Sequence, residues 1–158
     1  QHREYIEFTT NKLGDLSEIP SPKFIRVHLM LPHTPHIFDA MGNKLPSEAI
    51  HDWNYYFGQY KYTIKVIKRI MDNILSNSDP DNPPIIIIQS DHGARIHSKD
   101  GWIPLEKEGY LEEYKTHILN MLYIPELDYS QLPQDMNPIN TFPIIFNHLF
   151  DAGIPLIK

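Results

Sequence analysis

A carboxylate and an imidazole stand next to each other in the sequence Ser90-Asp91-His92-Gly93, directly after an apolar run. Asp91 offers an oxygen ligand and His92 a nitrogen ligand, and this pair suits a divalent ion such as Zn²⁺ or Mn²⁺. Gly93 allows the backbone to turn sharply, or to take a positive φ, immediately after the pair. The same residues also fit a simpler interpretation, in which Asp91 caps the next element and His92 lies in a surface loop. The sequence therefore predicts a candidate metal site and leaves this alternative open.

A second candidate segment lies upstream, where three histidines occur between His28 and His36. His33 comes after Pro32, where its ring can reach into a crevice beyond the end of a predicted strand. His28 lies within that strand and equally fits an interior histidine. His36 fits a surface loop as well as a functional position.

Two predicted strands carry these segments. Four isoleucines, Ile85 to Ile88, stand between two prolines and the Ser-Asp-His-Gly sequence, and they are typical of a short, fully buried strand in a parallel sheet. The apolar and β-branched run from Phe24 to Leu31 predicts an earlier strand. That strand ends at Pro32, because proline has no amide proton to continue the ladder.

A long helix is predicted between these strands, from Ser47 as its N-cap to about Leu75. Apolar residues at steps of three and four predict its buried face. The members of this stripe are Trp53, Phe57, Tyr60, Ile64, Ile67, Met71 and Ile74. The order strand, helix, strand predicts a βαβ unit with parallel strands. Since ligands bind beyond the carboxyl ends of such strands, the loops of His33 and Asp91 should face each other across one edge of the sheet.

The remaining predicted elements complete an α/β pattern. A polar loop from Ala94 to Gly101 follows the Asp-His pair, and Gly153 should end the last helix. The other predictions, in chain order, are a helix over 3–16, a connector over 17–23, an irregular or partly helical stretch over 102–114, a strand over 116–124 and an amphipathic helix over 141–152.

Composition limits the class of protein. The chain has 158 residues, 41% apolar and 22% charged, which predicts one soluble domain with residues 1–22 as a leading helix and connector and residues 23–158 as the core. A formal charge of −6 argues against nucleic acid as a partner, because phosphate binding needs a basic face. Without cysteine there is neither a disulfide nor a thiolate metal site. No apolar run approaches the about 20 residues that cross a bilayer.

Taken together, these motifs resemble the alkaline phosphatase/sulfatase superfamily. The Ser-Asp-His-Gly sequence follows an isoleucine-rich strand, and a His-x4-His-x-Pro loop precedes it. Residues 120–125, a strand ending in proline, and residues 139–147, a helix start, are similar to later parts of sulfatase-type chains. The resemblance covers about residues 23–156. It implies an α/β fold with a three-layer alkaline-phosphatase-like core, here incomplete, in which a small parallel or mixed sheet is flanked by helices.

In that family the Asp-His pair ligates a divalent metal, so the resemblance implies that Asp91 and His92 hold Zn, Mn or Ca in a site that this chain leaves incomplete. Members hydrolyse sulfate or phosphate esters, or transfer substituted phosphoryl groups. A metal ionises an oxygen nucleophile and shields charge on the transferred group, while cationic side chains stabilise its other oxygens. The residues expected to take part are His33, His97 and Arg95 as catalytic groups and His28, His36 and Lys99 as substrate-binding groups.

The chain departs from the family pattern in its first part. Relatives place their nucleophile and first acidic metal ligands before the histidine loop, whereas Thr9 and Thr10 of this chain lie in a predicted helix without an acidic partner at a strand end. Some relatives also have a histidine about a dozen residues after the Asp-His pair, and only His97 is a nearby substitute. We therefore expect the C-terminal part of a longer hydrolase, inactive alone. An uncovered sheet edge and apolar face should favour self-association.

Other interpretations fit parts of the same sequence. One is a phosphoethanolamine- or phosphoglycerol-type transferase of the same superfamily. Another is a non-catalytic α/β module that binds an anion or a partner, and a third is a flavodoxin-like or receiver-like domain. Many members of the superfamily act outside the cytoplasm on a membrane anchor, which is the expectation that the resemblance offers for the parent protein.

Overall fold

The structure is a computed structural model that describes residues 2–46, 53–94, 97–98, 101–102 and 116–157. The helices in these ranges are α1 (His2–Lys12), α2 (Trp53–Ser76) and α3 (Thr141–Phe150). The strands are β1 (Ile86–Gln89), β2 (His97–Ser98), β3 (Gly101–Trp102) and β4 (Asn120–Tyr123). Short 3-10 helices cover Leu13–Glu18, Tyr129–Gln131 and Pro138–Asn140. The predicted helix start at Ser47 and most of the stretch predicted as irregular lie outside the described residues.

The amino-terminal segment contacts α2 through the 3-10 helix that follows α1. Ile6 of α1 and Leu13 of this 3-10 helix are buried. On α2 the buried side chains are Gln59, Thr63 and Val66, which lie four and three residues apart and so share one face of the helix. The first helix and the end of the second are confirmed close to their predicted positions.

The buried face of α2 differs from the predicted one. Phe57, Tyr60 and Ile64 belong to the predicted buried stripe, yet their exposed fractions are 52%, 40% and 39%. The prediction is wrong for this half of the helix. The reason is that the inward face is chosen by what packs against it, and the loop before α2 offers backbone polar groups that Gln59 can satisfy.

The predicted strand from Phe24 to Leu31 is also corrected by the structure. This segment pairs with no strand in the described part of the chain. Phe24, Ile25 and Val27 are exposed at 79%, 39% and 41%. A β-branched sequence favours extended backbone, but it becomes a strand only when another strand satisfies its amide and carbonyl groups.

The isoleucine strand is confirmed, but its pairing is not the predicted one. β1 pairs with β4 in an antiparallel ladder, in which Ile86 lies opposite Tyr123 and Gln89 opposite Asn120. Both sheets among the described residues are antiparallel pairs, β1 with β4 and β2 with β3, so the predicted parallel pairing and βαβ unit are corrected. Residues 86–88 are half-buried rather than fully buried. Without the earlier segment as a neighbour, β1 takes its partner from the later chain.

The carboxyl-terminal part has its own small apolar core. Ile124, Ile144 and Ile145 are buried there, and Ile87 and Leu122 of the β1–β4 pair pack against them. This core fixes α3 on the two-stranded sheet.

α3 ends earlier than predicted. Its last residue is Phe150, and Asp151 follows in the left-handed conformation with φ of 49° and donates its amide proton to the Asn147 carbonyl. Asp151, rather than Gly153, therefore ends the helix. No helix in the described ranges is long and apolar enough to cross a membrane.

Candidate functional site

The Asp-His pair stands directly beyond the carboxyl end of β1, as predicted. The ladder between β1 and β4 continues one residue past the strand, because the Ser90 amide donates to the Leu119 carbonyl at 2.9 Å and the Leu119 amide donates to the Ser90 hydroxyl at 3.0 Å. Gln89 is held in turn by its side-chain amide, which donates to Thr141 of α3 at 3.2 Å. Asp91 is therefore the first residue beyond the hydrogen-bonded end of the β1–β4 pair.

The side chains of the pair are open to ligands. The Asp91 side chain is 79% exposed and that of His92 is 29% exposed. One Asp91 oxygen accepts the amide proton of the adjacent residue, His92, at 3.0 Å. This contact leaves the second oxygen of Asp91 available.

The hydrogen bond of the His92 ring fixes which nitrogen can bind a cation. Its Nδ1 lies 2.7 Å from the Gly93 carbonyl oxygen. A carbonyl only accepts, so Nδ1 carries the proton and the neutral ring keeps its lone pair on Nε2. Metal-binding histidines typically donate their other ring proton to a carbonyl or carboxylate in this way.

The pair therefore fits a divalent ion in donor chemistry, but it supplies only part of a site. Nε2 of His92 lies 3.8 Å from the nearer Asp91 oxygen. No group of three or more histidine, aspartate, glutamate or cysteine residues suited to a metal occurs among the described residues. The other ligands would come from outside this part of the chain.

The upstream histidines differ in their surroundings. His33 is exposed, and its Nδ1 lies 2.6 Å from the Thr34 carbonyl oxygen, so its neutral ring also keeps the Nε2 lone pair. His28 is exposed within the unpaired segment, so the interior interpretation of this residue is wrong. His36 is 2% exposed and lies with its ring edge-on to Tyr56, so the surface interpretation of His36 is wrong. Burial raises the pKa of the Tyr56 phenol.

A compact turn follows these histidines. The Leu45 amide donates to the Ile37 carbonyl at 3.0 Å, and one Asp39 oxygen accepts the amide protons of Met41 and Asn43, each at 2.8 Å. The Asn43 side chain donates to the other Asp39 oxygen at 2.9 Å and is the main cause of the low pKa of that carboxyl. Asp39 is therefore engaged within its own turn.

Gln59 attaches the histidine loop to α2 through hydrogen bonds, a role that sequence reasoning missed. We use the name histidine loop for residues 32–38. The Gln59 side chain is fully buried and is hydrogen-bonded to the backbone of four of these residues. The sequence carries no signal for this role, because a glutamine among lysines and tyrosines on a helix is assigned to the solvent face.

The remaining predicted site residues follow the Asp-His pair in the chain. Arg95 and Lys99 lie outside the described residues. The backbone of His97 pairs with Trp102 in the β2–β3 pair, and its side chain lies outside the described part. The histidine loop is anchored on α2 and the Asp-His pair on the β1–β4 sheet. Their meeting at one edge stays a prediction, since the strand that was to join them is unpaired.

One cleft in the described part of the chain is separate from these motifs. It has a volume of about 410 Å³ and is lined by the end of α2, by Asp79 and by Tyr123. Tyr123 pairs with Ile86, at the end of β1 away from Asp91. This cleft is therefore not the site of the Asp-His pair.

The family model for Sulfatase matches residues 3–152, nearly all of the 158-residue chain. No curated protein and no solved structure matches it. The matched range includes the histidine loop, α2, the Asp-His pair and α3. The chain therefore belongs to the sulfatase family, within the alkaline phosphatase/sulfatase superfamily, whose fold is α/β.

Proposed function

We propose that this chain supplies one end of the metal site and the anion-binding histidine loop of a metal-dependent hydrolase of sulfate or phosphate esters. The observation that carries the proposal is the Asp-His pair at the carboxyl end of β1, in a chain that matches the sulfatase family throughout. The support is chemical as well as positional. Asp91 has a free carboxylate oxygen, and the lone pair of His92 is on the nitrogen that does not bind the backbone.

Asp91 and His92 are the residues that would hold the ion, with Zn, Mn or Ca as candidates. A divalent ion bound there would supply positive charge next to the transferred group and would favour an ionised oxygen nucleophile. The chain's own contribution is to keep the His92 ring oriented. The Gly93 carbonyl does this by holding Nδ1, so that Nε2 points its lone pair away from the backbone.

The histidine loop is proposed to bind the sulfate or phosphate group. His33 is exposed, and its Nε2 can accept a proton or, once protonated, donate a hydrogen bond to a nonbridging oxygen. His97 and Arg95 are proposed as further catalytic groups. His28, His36 and Lys99 are proposed as substrate-binding groups, and His36 can act only where the substrate pocket reaches inside the loop, because it is buried.

The nucleophile is proposed to lie outside this chain. The threonines of the first helix, Thr9 and Thr10, lie in α1, and the hydroxyl of Thr10 donates to the Ile6 carbonyl at 2.7 Å. A hydroxyl engaged with its own helix is poorly placed to attack an ester. On this proposal the chain is the C-terminal part of the enzyme and turns over no ester by itself.

The metal content of the full-length protein tests this proposal. We expect the purified protein to retain a divalent ion, measured by inductively coupled plasma mass spectrometry, and His92→Ala to lose most of it. His148→Ala is the control, because His148 is exposed and its Nε2 is held by the Pro125 carbonyl at 2.9 Å. Equal metal content in the wild type and His92→Ala would defeat the assignment.

A further inference from the structure

Gln59 uses all of its hydrogen-bonding capacity on the histidine loop. Its Oε1 accepts the amide protons of Ile37 at 2.7 Å and Phe38 at 3.1 Å. Its Nε2 donates to the carbonyl oxygens of Pro32 at 3.2 Å and His33 at 2.9 Å. A carboxamide offers two acceptor positions and two donor protons, so no capacity is left over.

The chemistry of these contacts requires a glutamine. The two amide groups can only donate and the two carbonyl groups can only accept, so only one orientation of the Gln59 side chain satisfies all four. Glutamate has no proton to give the carbonyl groups of Pro32 and His33, and leucine has neither donor nor acceptor. Because the site is fully buried, water cannot readily replace the lost partners.

The four contacts join the two ends of the histidine loop. They hold residues 32–33 close to residues 37–38, so the segment between them is closed into a loop on α2. In this loop the His33 ring is exposed, whereas the His36 ring is buried and packs against Tyr56 of α2. Within the helix, Thr63 donates its hydroxyl proton to the main-chain carbonyl of Gln59 at 2.8 Å. The position of His33 therefore depends on a side chain 26 residues away in sequence.

We propose that Gln59 is a positioning residue: it sets where His33 stands relative to the bound ester. This inference rests on the proposed function in so far as the loop is taken to bind the sulfate or phosphate group. The attachment of the loop to Gln59 is a separate, structural part of the inference and can be measured without substrate.

Three variants of the full-length protein separate these parts. Gln59→Leu removes all four contacts and puts a side chain of similar size in their place. Gln59→Glu keeps the acceptor for Ile37 and Phe38 and loses both donors. Val66→Ala is the control, because Val66 is buried on the same helix face but has no hydrogen bond to the loop. It lowers stability through a cavity and should leave the loop in place.

Hydrogen exchange measured by mass spectrometry reports on the attachment. We expect the amides of Ile37 and Phe38 to exchange at least tenfold faster in Gln59→Leu than in Val66→Ala. Gln59→Glu should be intermediate, because its remaining acceptor still binds these amides. Equal exchange in Gln59→Leu and the control would overturn the inference at this first stage.

Steady-state kinetics with 4-nitrophenyl sulfate and 4-nitrophenyl phosphate reports on positioning. A misplaced catalytic group costs mainly transition-state binding, so we expect kcat/KM to fall at least tenfold in Gln59→Leu relative to Val66→Ala, chiefly through kcat. Faster exchange with kinetics equal to the control would make Gln59 structural only and would overturn the positioning role. A wild type inactive on both esters would count against the proposed function instead, and the exchange result would then decide the attachment alone.

Discussion

Gly42 occupies a place in the turn after the histidine loop that no other residue can take without strain. Its φ is 90°, and a Cβ atom there would lie 2.6 Å from the Tyr62 ring. The Tyr62 ring itself packs against Phe38, with centroids 4.8 Å apart, so it has little freedom to move. The turn is thus held from both sides, by backbone conformation and by ring packing.

Gly42→Ala should lower the free energy of unfolding by about 1–3 kcal/mol, from positive-φ strain together with the ring clash. Gly153→Ala is the matched control, because Gly153 also has a positive φ, of 63°, but would meet nothing within 4 Å. Urea unfolding of both variants measures the difference. A loss in Gly153→Ala as large as in Gly42→Ala would show that the Tyr62 contact contributes nothing.

The lowered pKa of Asp39 predicts that the same turn depends on pH. The Asn43 side chain, followed by its backbone amide, holds the pKa of Asp39 below its ordinary value of 3.8. A carboxyl whose pKa is lowered by folding stabilises the fold fully above the ordinary pKa, and this contribution is lost as the pH falls through the lowered pKa. We expect the amide signals of Met41 and Asn43 to shift below about pH 4. Asp39→Asn should abolish this step, and its persistence in the variant would show that another group titrates in its place.

At the scale of elements, local sequence patterns predicted where helices and strands lie, but they did not predict which face of α2 is buried. The position of α1, the end of α2 and the position of β1 follow from apolar spacing, proline and β-branched residues, and each was predictable within a few residues. The buried face of α2 was not. Aromatic spacing marks Phe57 and Tyr60, whereas the loop that packs on the helix selects the face of Gln59, and nothing local to α2 encodes that loop.

The two faces of α2 can be compared directly. Val66 is 1% exposed and Phe57 is 52% exposed, although Phe57 is the larger side chain. We expect Val66→Ala to cost about 1–3 kcal/mol of unfolding free energy and Phe57→Ala less than about 1 kcal/mol. Thermal and urea unfolding measure both. A greater cost for Phe57→Ala would mean that the predicted apolar stripe is the buried face after all.

At the scale of the whole molecule, strand pairing is what the sequence could not settle. The apolar run from Phe24 to Leu31 and the isoleucines of β1 both have strand composition, but pairing is decided by which distant segments meet. The described residues pair β1 with β4 and leave the earlier run exposed. The Asp-His motif could be placed at a strand end from sequence, whereas its distance from the histidine loop could not.

The exposed apolar run has a consequence for association. Phe24, Ile25 and Val27 are exposed in a segment that pairs with no strand among the described residues, so we propose that two copies of the chain associate through this segment. Analytical ultracentrifugation should show a dimer that Phe24→Asp weakens. The control is Phe150→Asp at the end of α3, where the side chain is also exposed, at 69%. A monomeric wild type, or equal weakening by both variants, would contradict this surface.

We propose that Asp91 and His92 bind a divalent ion at the same edge of the sheet as His33. Mn²⁺ is paramagnetic and broadens the NMR signals of nearby protons. It can therefore report on the Asp-His pair and on the histidine loop in one experiment. With Mn²⁺ added to the full-length protein, we expect the ring signals of His92 and His33 to broaden strongly, while those of His148 stay sharp. Broadening of the His92 signals without those of His33 would show that the two motifs lie apart. An absence of selective broadening at His92 would contradict the metal site itself.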